Sequence, residues 1–326
     1  MPDLPQQKKM PSSNLSSLVS PSPMSLMVTA GLIGLSYWWW SKRIPANRKI
    51  RQSGAEGVSL GARGQEVPKA DLDKLFATLH KNFDANATHA IHDPKRWDYE
   101  WRLQQLYALR DMYEENLDAF LEAAKQDIGR KKSEFVLESG ANLADLDHII
   151  AGLKTWMTPS KRTTPLWMMP ASSYVISEPV GVCLILGTWN YAAVTSLLPL
   201  AGAIAAGNAA ILKPSELAPA QSELMARLIP KYLDPTAYRV VQGGVETAKT
   251  LVDSYEWGMV FYTGGSKVGA SIAASCSSRL IPCCLELGGK SPTIILEDAD
   301  LLVTCRRIVQ GKFVNSGTSP RSPLHD

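Results

Sequence analysis

From Tyr174 onward the chain repeats one pattern, and that pattern admits few folds. VGVCLILGTWN is a continuous apolar run closed by a turn, as expected of a strand buried on both faces. SLLPLAGAIAAGNA then places small apolar residues at helical spacing, AAILKPSE reads as a second short strand, and APAQSELMARLIPKYL as a second helix. YRVVQGG and WGMVFYTGGSKVG continue the series, with YVISEP as an extended lead-in. Strand, helix, strand, helix predicts a parallel α/β sheet. In the last unit a strand runs into Thr263, Gly264, Gly265 and Ser266 just where a helix begins, so free backbone N–H groups and the helix dipole can meet a phosphate. There is no GxGxxG fingerprint, and taken alone the turn reads equally well as a tight connection.

Upstream the chain changes character three times. Residues 1–23 are rich in Ser, Pro and Gln, a composition that favours disorder. Met24 to Trp40 (MSLMVTAGLIGLSYWWW) carries no charge and is followed by Lys42, Arg43, Arg48, Lys49 and Arg51. The run predicts a transmembrane anchor over residues 24–40. At 1.5 Å per residue it spans roughly 26 Å, which suits a thin bilayer such as that of the endoplasmic reticulum. Three Trp residues followed by basic side chains match an interfacial belt, and the basic excess after the run puts the body of the protein on the cytosolic side. A basic, Gly-rich linker is expected over 41–70. Asp71 to Met157 reads as helical, with Trp101, Leu103, Leu106, Leu109, Met112, Leu117 and Leu121 on one broad face.

At 326 residues and 45% apolar content the chain can bury a sizeable core, whereas a net charge of +3 is too small to argue for nucleic acid. Its five cysteines (Cys183, Cys276, Cys283, Cys284, Cys305) show no CxxC spacing, so neither a zinc site nor a redox pair is expected. Cys283 and Cys284 read as buried thiols on a core strand, and Cys305 lies on a predicted helix, ADLLVTCRRIVQGKF.

Four motifs stand in order: GTWNY at 187–191, LKPSE at 212–216, YTGGSKVG at 262–269 and LELGGKSP at 285–292. Together they resemble the aldehyde dehydrogenase superfamily. YEWRLQQLYALRDMYEEN and KTWMTPSKR resemble its class 3, fatty-aldehyde branch, and the likeness covers about residues 85–317. The resemblance implies a Rossmann-like NAD-binding domain preceded by helices over 71–285, and the start of a catalytic domain over 286–317. It implies an NAD-dependent oxidation of medium- or long-chain aldehydes, with NADP tolerated in that branch.

The resemblance also distributes roles. Asn190 matches the donor of a side-chain N–H to the oxyanion formed when a thiolate adds to the aldehyde; such a donor is worth about 3 kcal/mol in the transition state. Thr188 and Trp189 fall in the cofactor-binding turn beside it. Lys213 and Glu216 match the positions that bind the adenosine ribose, where a carboxylate disfavours a 2′-phosphate. Gly264 and Gly265 match the pyrophosphate turn, where the lack of side chains admits close approach. Glu286 matches the general base that activates water, which needs a partly apolar site to raise its pKa, and Leu285 and Leu287 flank it.

GKFVNSG at 311–317 resembles the segment that in the family runs into Gly-Gln-x-Cys, whose Cys attacks the aldehyde. Counting along, Gln is expected at 318 and Cys at 320, but Thr318 and Pro320 stand there. Residues 318–326 read as a divergent tail. The expectation is a chain truncated before the nucleophile and catalytically incompetent, with most of the catalytic domain and the subunit-pairing strand of the homodimeric family missing. A noncatalytic, membrane-tethered nucleotide-binding protein is the alternative.

Overall fold

The structure is a computed structural model and describes residues 59–62, 64–87 and 97–319. Four helices come first: α1 (Lys69–Asn86), α2 (Tyr99–Glu115), α3 (Leu117–Ile128) and α4 (Lys132–Met157). The long amphipathic stretch breaks at Asn116, whose side chain donates to the Met112 carbonyl at 2.8 Å and ends α2. The apolar register restarts there. Trp101, Leu103, Leu106, Leu109 and Met112 are buried as expected, but in α3 the core positions are Phe120, Ala123 and Ala124, while Leu117 and Leu121 are only half-buried.

A two-stranded antiparallel arm, β1 (Ser160–Arg162) with β2 (Ser173–Val175), precedes the main sheet. That sheet has five strands, β3 (Val182–Leu186), β4 (Ala209–Lys213), β5 (Tyr238–Val240), β6 (Met259–Gly264) and β7 (Cys283–Leu287), in the order β5-β4-β3-β6-β7. All neighbours are parallel. The connecting helices are α5 (Ala192–Ala205), α6 (Pro219–Tyr232), α7 (Val245–Ser254) and α8 (Ser266–Ser277). The chain builds outward from β3 to β4 and β5, then returns past β3 to lay down β6 and β7. Right-handed crossovers in the two opposite directions put α5 and α6 on one face and α7 and α8 on the other.

Every residue of β3 and β4 is buried, which explains their uninterrupted apolar sequence. Helices α2, α3 and α4 pack outside α5 and α6, and α1 packs on β3 and β4, with Phe76 tilted against Tyr255 and edge-on to Trp257, both within 5.0 Å, in the connection that leads into β6.

Two boundaries and one burial differ from the sequence reading. The expected 41–70 linker is partly built into the fold: Leu60 makes an isolated parallel bridge to Val241, donating to Val240 and accepting from Gln242, and Lys69 and Ala70 open α1. The expected division between residues 285 and 286 falls inside β7, which pairs with β6 throughout. Cys283 and Cys284 are half-exposed on the edge strand β7, whereas the other edge strand, β5, buries Tyr238 and Val240. The chain then forms α9 (Leu301–Phe313), which buries none of its residues, and a 3-10 turn at Val314–Gly317. The expected anchor at 24–40, the tail at 1–23 and Pro320 lie outside the described residues. Among the described residues no helix is long and apolar enough to cross a membrane, and no cluster of His, Cys, Asp or Glu could hold a metal ion.

Candidate active site

The order of the strands dictates where a site can form. In an open parallel sheet the two halves diverge beyond the carboxyl ends of the strands where the winding reverses, here between β3 and β6. Thr188, Trp189 and Asn190 leave the end of β3, and Gly264 and Gly265 leave the end of β6, so both segments border that crevice. Lys213 ends β4, directly opposite Leu186 of β3, and Glu216 follows within a turn. Glu286 lies on β7 opposite Thr263 of β6. Four strand ends thus bring all the expected site residues to one edge of the sheet.

Asn190 is held in one orientation. Its Oδ1 accepts from the Thr188 hydroxyl at 2.6 Å and from the Tyr191 N–H at 3.1 Å. Two donors on one oxygen fix the amide, so Nδ2 must point away, and it donates to the Thr318 carbonyl at 2.7 Å. Thr188 is itself anchored through its N–H to Thr195 Oγ1 on the first turn of α5, at 3.1 Å. Trp189 is 38% exposed at the mouth of the crevice.

Lys213 is buried, and its ammonium donates to Glu216 at 2.6 Å and to the Pro214 carbonyl at 3.3 Å. A buried cation needs such a partner, so the pair sets Glu216 in place at the end of β4 with its carboxylate still reachable from outside.

Gly264 and Gly265 serve different ends. A Cβ at Gly264 would collide with the Tyr262 phenol, whereas a Cβ at Gly265 would meet nothing within 4 Å. Gly265 therefore keeps open the approach to the N-terminus of α8, where no side chain caps the free N–H groups and no acidic residue stands in the first turn. That terminus is built to accept an anion.

Glu286 departs from expectation. It is exposed, Leu287 beside it is 42% exposed and Leu285 is half-buried, so the apolar surround anticipated for a general base is not formed.

Several contacts that the sequence did not signal converge on Asn190. Asn315 is wholly buried, donating from Nδ2 to the Asn190 carbonyl at 2.8 Å and to Thr318 Oγ1 at 2.9 Å. Its Oδ1 accepts from Arg130, itself buried, whose guanidinium lies 4.9 Å over the Tyr191 ring and pairs with Glu138. The only hint was the Asn within GKFVNSG; nothing in the sequence linked it to a residue 185 positions away.

The thiols divide by burial. Burial pushes Cys183 up to about 12, and burial together with the neighbouring Cys283 pushes Cys276 up to about 11. Cys305 is exposed on α9.

Comparison with known proteins converges on one group. The sequence profile described as "Aldehyde dehydrogenase family" matches residues 69–320. Aldehyde dehydrogenase family 3 member H1 of Arabidopsis thaliana is 41% identical over 256 residues, 78% of this chain and 51% of that protein. The dimeric NADP-preferring aldehyde dehydrogenase of Rattus norvegicus is 40% identical over 239 residues, 73% of this chain and 52% of that protein. The chain spans about half the length of the curated relatives it matches. Among solved structures, the substrate-bound state of Staphylococcus aureus AldH superposes with a TM-score of 0.71 at 35% identity, covering 77% of this chain and 53% of that one. The Mycobacterium tuberculosis aldehyde dehydrogenase complexed with NAD+ gives 0.68 at 26% identity, covering 82% and 55%.

Proposed function

Because the chain belongs to the aldehyde dehydrogenase family, we propose that it carries the cofactor-binding part of a site oxidising apolar aldehydes to carboxylic acids with NAD(P). One observation supports this above the others: the carboxyl ends of β3, β4 and β6 gather Thr188–Asn190, Lys213–Glu216 and Gly264–Gly265 around the reversal of winding. The residues fit a dinucleotide. Glu216, fixed by Lys213, offers a carboxylate to ribose hydroxyls, and Gly265 with the first turn of α8 offers unblocked N–H groups to a pyrophosphate. NAD(P)+ supplies the hydride acceptor when bound. Asn190 holds an N–H donor in fixed orientation for a developing oxyanion, and Glu286 is the carboxylate available to take a proton from water.

The further readings are of a piece with this. The likeness to family 3 members and the apolar run at 24–40 both favour medium- or long-chain aldehydes at a membrane, with the body of the protein on the cytosolic side. The engagement of Asn190 Nδ2 by the Thr318 carbonyl, and Pro320 where the resemblance calls for Cys, favour nucleotide binding without turnover in this chain.

Calorimetry tests the cofactor reading. ADP-ribose and NAD are expected to bind with similar affinity, because the described contacts lie at the adenosine and pyrophosphate end, and Glu216→Gln is expected to weaken both. Failure of either ligand to bind, or an unchanged affinity in the folded variant, would remove the dinucleotide site from these residues.

A further inference from the structure

The loop that carries Asn190 is held from within by Thr188 and Thr195, and it is also held from outside. Thr188 fixes the carboxamide, and the backbone beneath it is gripped as well by residues distant in sequence. Asn315 Nδ2 donates to the Asn190 carbonyl at 2.8 Å, and Arg130 covers the Tyr191 ring at 4.9 Å. Asn315 also determines what faces Asn190. Thr318 Oγ1 accepts from Asn315 Nδ2 and donates to the Asn315 carbonyl at 2.6 Å, and the Thr318 N–H donates to the same carbonyl at 3.1 Å. Those bonds bring the Thr318 carbonyl onto Asn190 Nδ2.

The backbone bears out the constraint. Asn315, Ser316 and Gly317 have φ of 55°, 56° and 75°, three successive left-handed residues. Outside glycine that region is entered most readily by Asn, and it persists where surrounding contacts over-determine it. Here they do: the Asn315 N–H donates to the Glu134 carboxylate at 3.2 Å, Ser316 Oγ donates to the Ile128 carbonyl at 2.9 Å, and Arg130 donates to Asn315 Oδ1.

We propose that Asn315, clamped by Arg130, is a positioning residue for Asn190: it fixes the backbone bearing the N–H donor and seats against that donor the carbonyl it now meets. The inference rests on the donor role proposed for Asn190, but its test reads position alone.

In the full chain labelled with 15N at asparagine only, the Asn190 carboxamide resonances are identified by their loss in Asn190→Asp. Asn315→Gly keeps the left-handed backbone and removes only the side chain. It is expected to shift both Asn190 Nδ2 protons and to speed their exchange with water about tenfold, the effect of losing one hydrogen bond. Arg130→Met is expected to do the same, while Arg130→Lys, still a donor to Asn315 Oδ1, is expected to retain the native signature. Unmoved Asn190 resonances in folded Asn315→Gly would overturn the inference. Should that variant not fold, identical Asn190 spectra for Arg130→Met and Arg130→Lys would overturn it from the other side. Failure to bind NAD would count against the proposed function and leave these spectra as expected.

Discussion

Glu138 sits where burial and a cation pull its proton in opposite directions. Burial raises its pKa to about 7 from an ordinary 4.5, against the pull of Arg130, with which it pairs. Arg130, which also pairs with Glu134, faces it from the turn before α4, and Tyr113 faces it from α2. The folded chain therefore holds a proton that the unfolded chain has released. The stability this proton contributes is complete below about pH 4.5 and is lost as the pH rises through about 7. Glu138→Gln, which cannot titrate, is expected to close its thermal-stability gap to the native chain as the pH rises between about 5 and about 7.5. Melting temperatures of the two proteins that stay parallel across that range would show that Glu138 is ionised throughout. Single residues of this kind were the least legible in the sequence. Asn190, Lys213 and Glu216 are recognisable because they sit in contiguous motifs at strand ends, whereas the partnership of Arg130 with Asn315 joins two segments 185 residues apart and leaves no local pattern.

Strands β3 and β4 were legible because burial on both faces forces a continuous apolar run, and the helix α5 between them because small apolar residues recur at helical spacing. The same reasoning misjudged β7. CCLEL looks like a core strand, yet Cys283 and Cys284 are half-exposed and Glu286 is exposed, because an apolar run does not tell whether other elements will cover the faces of the strand it forms. Asn116 was missed for another reason: a side chain that bonds back to the preceding turn ends a helix without disturbing the apolar periodicity around it. Within the sheet, Leu184 is the middle residue of the central strand, fully buried and in register with Ile211 and Val260. Leu184→Ala is expected to cost about 2–5 kcal/mol, the transfer term plus the cavity left behind, read as a lower denaturation midpoint. A loss under about 1 kcal/mol would mean that the strand is less tightly enclosed than its burial indicates.

Two expectations belong to the chain as one object. If residues 24–40 anchor it, a variant lacking residues 1–41 is expected to leave the membrane fraction, while the full chain resists carbonate extraction with its C-terminal part open to protease from the cytosolic side; extraction of both alike would remove the anchor. Activity is the sharper case. Oxidation of an aldehyde by covalent capture needs a thiolate beside the oxyanion donor, because hydride leaves readily only from the tetrahedral adduct. Pro320 has no nucleophilic side chain and stands where the resemblance calls for Cys. Cys183 and Cys276 are buried thiols pushed up to about 12 and about 11, hence protonated near neutral pH. Asn190 Nδ2 already rests on the Thr318 carbonyl, and Glu286 is exposed on an edge strand. Water activated by Glu286 would attack without covalent capture of the product. The 326-residue chain is therefore expected to bind NAD and yet to form no detectable NADH from hexadecanal or shorter aldehydes at saturating cofactor. The discriminating control is Cys305→Ser on exposed α9: NADH formation by the native chain that this substitution abolishes would make Cys305 the nucleophile and refute the assignment of that role to position 320.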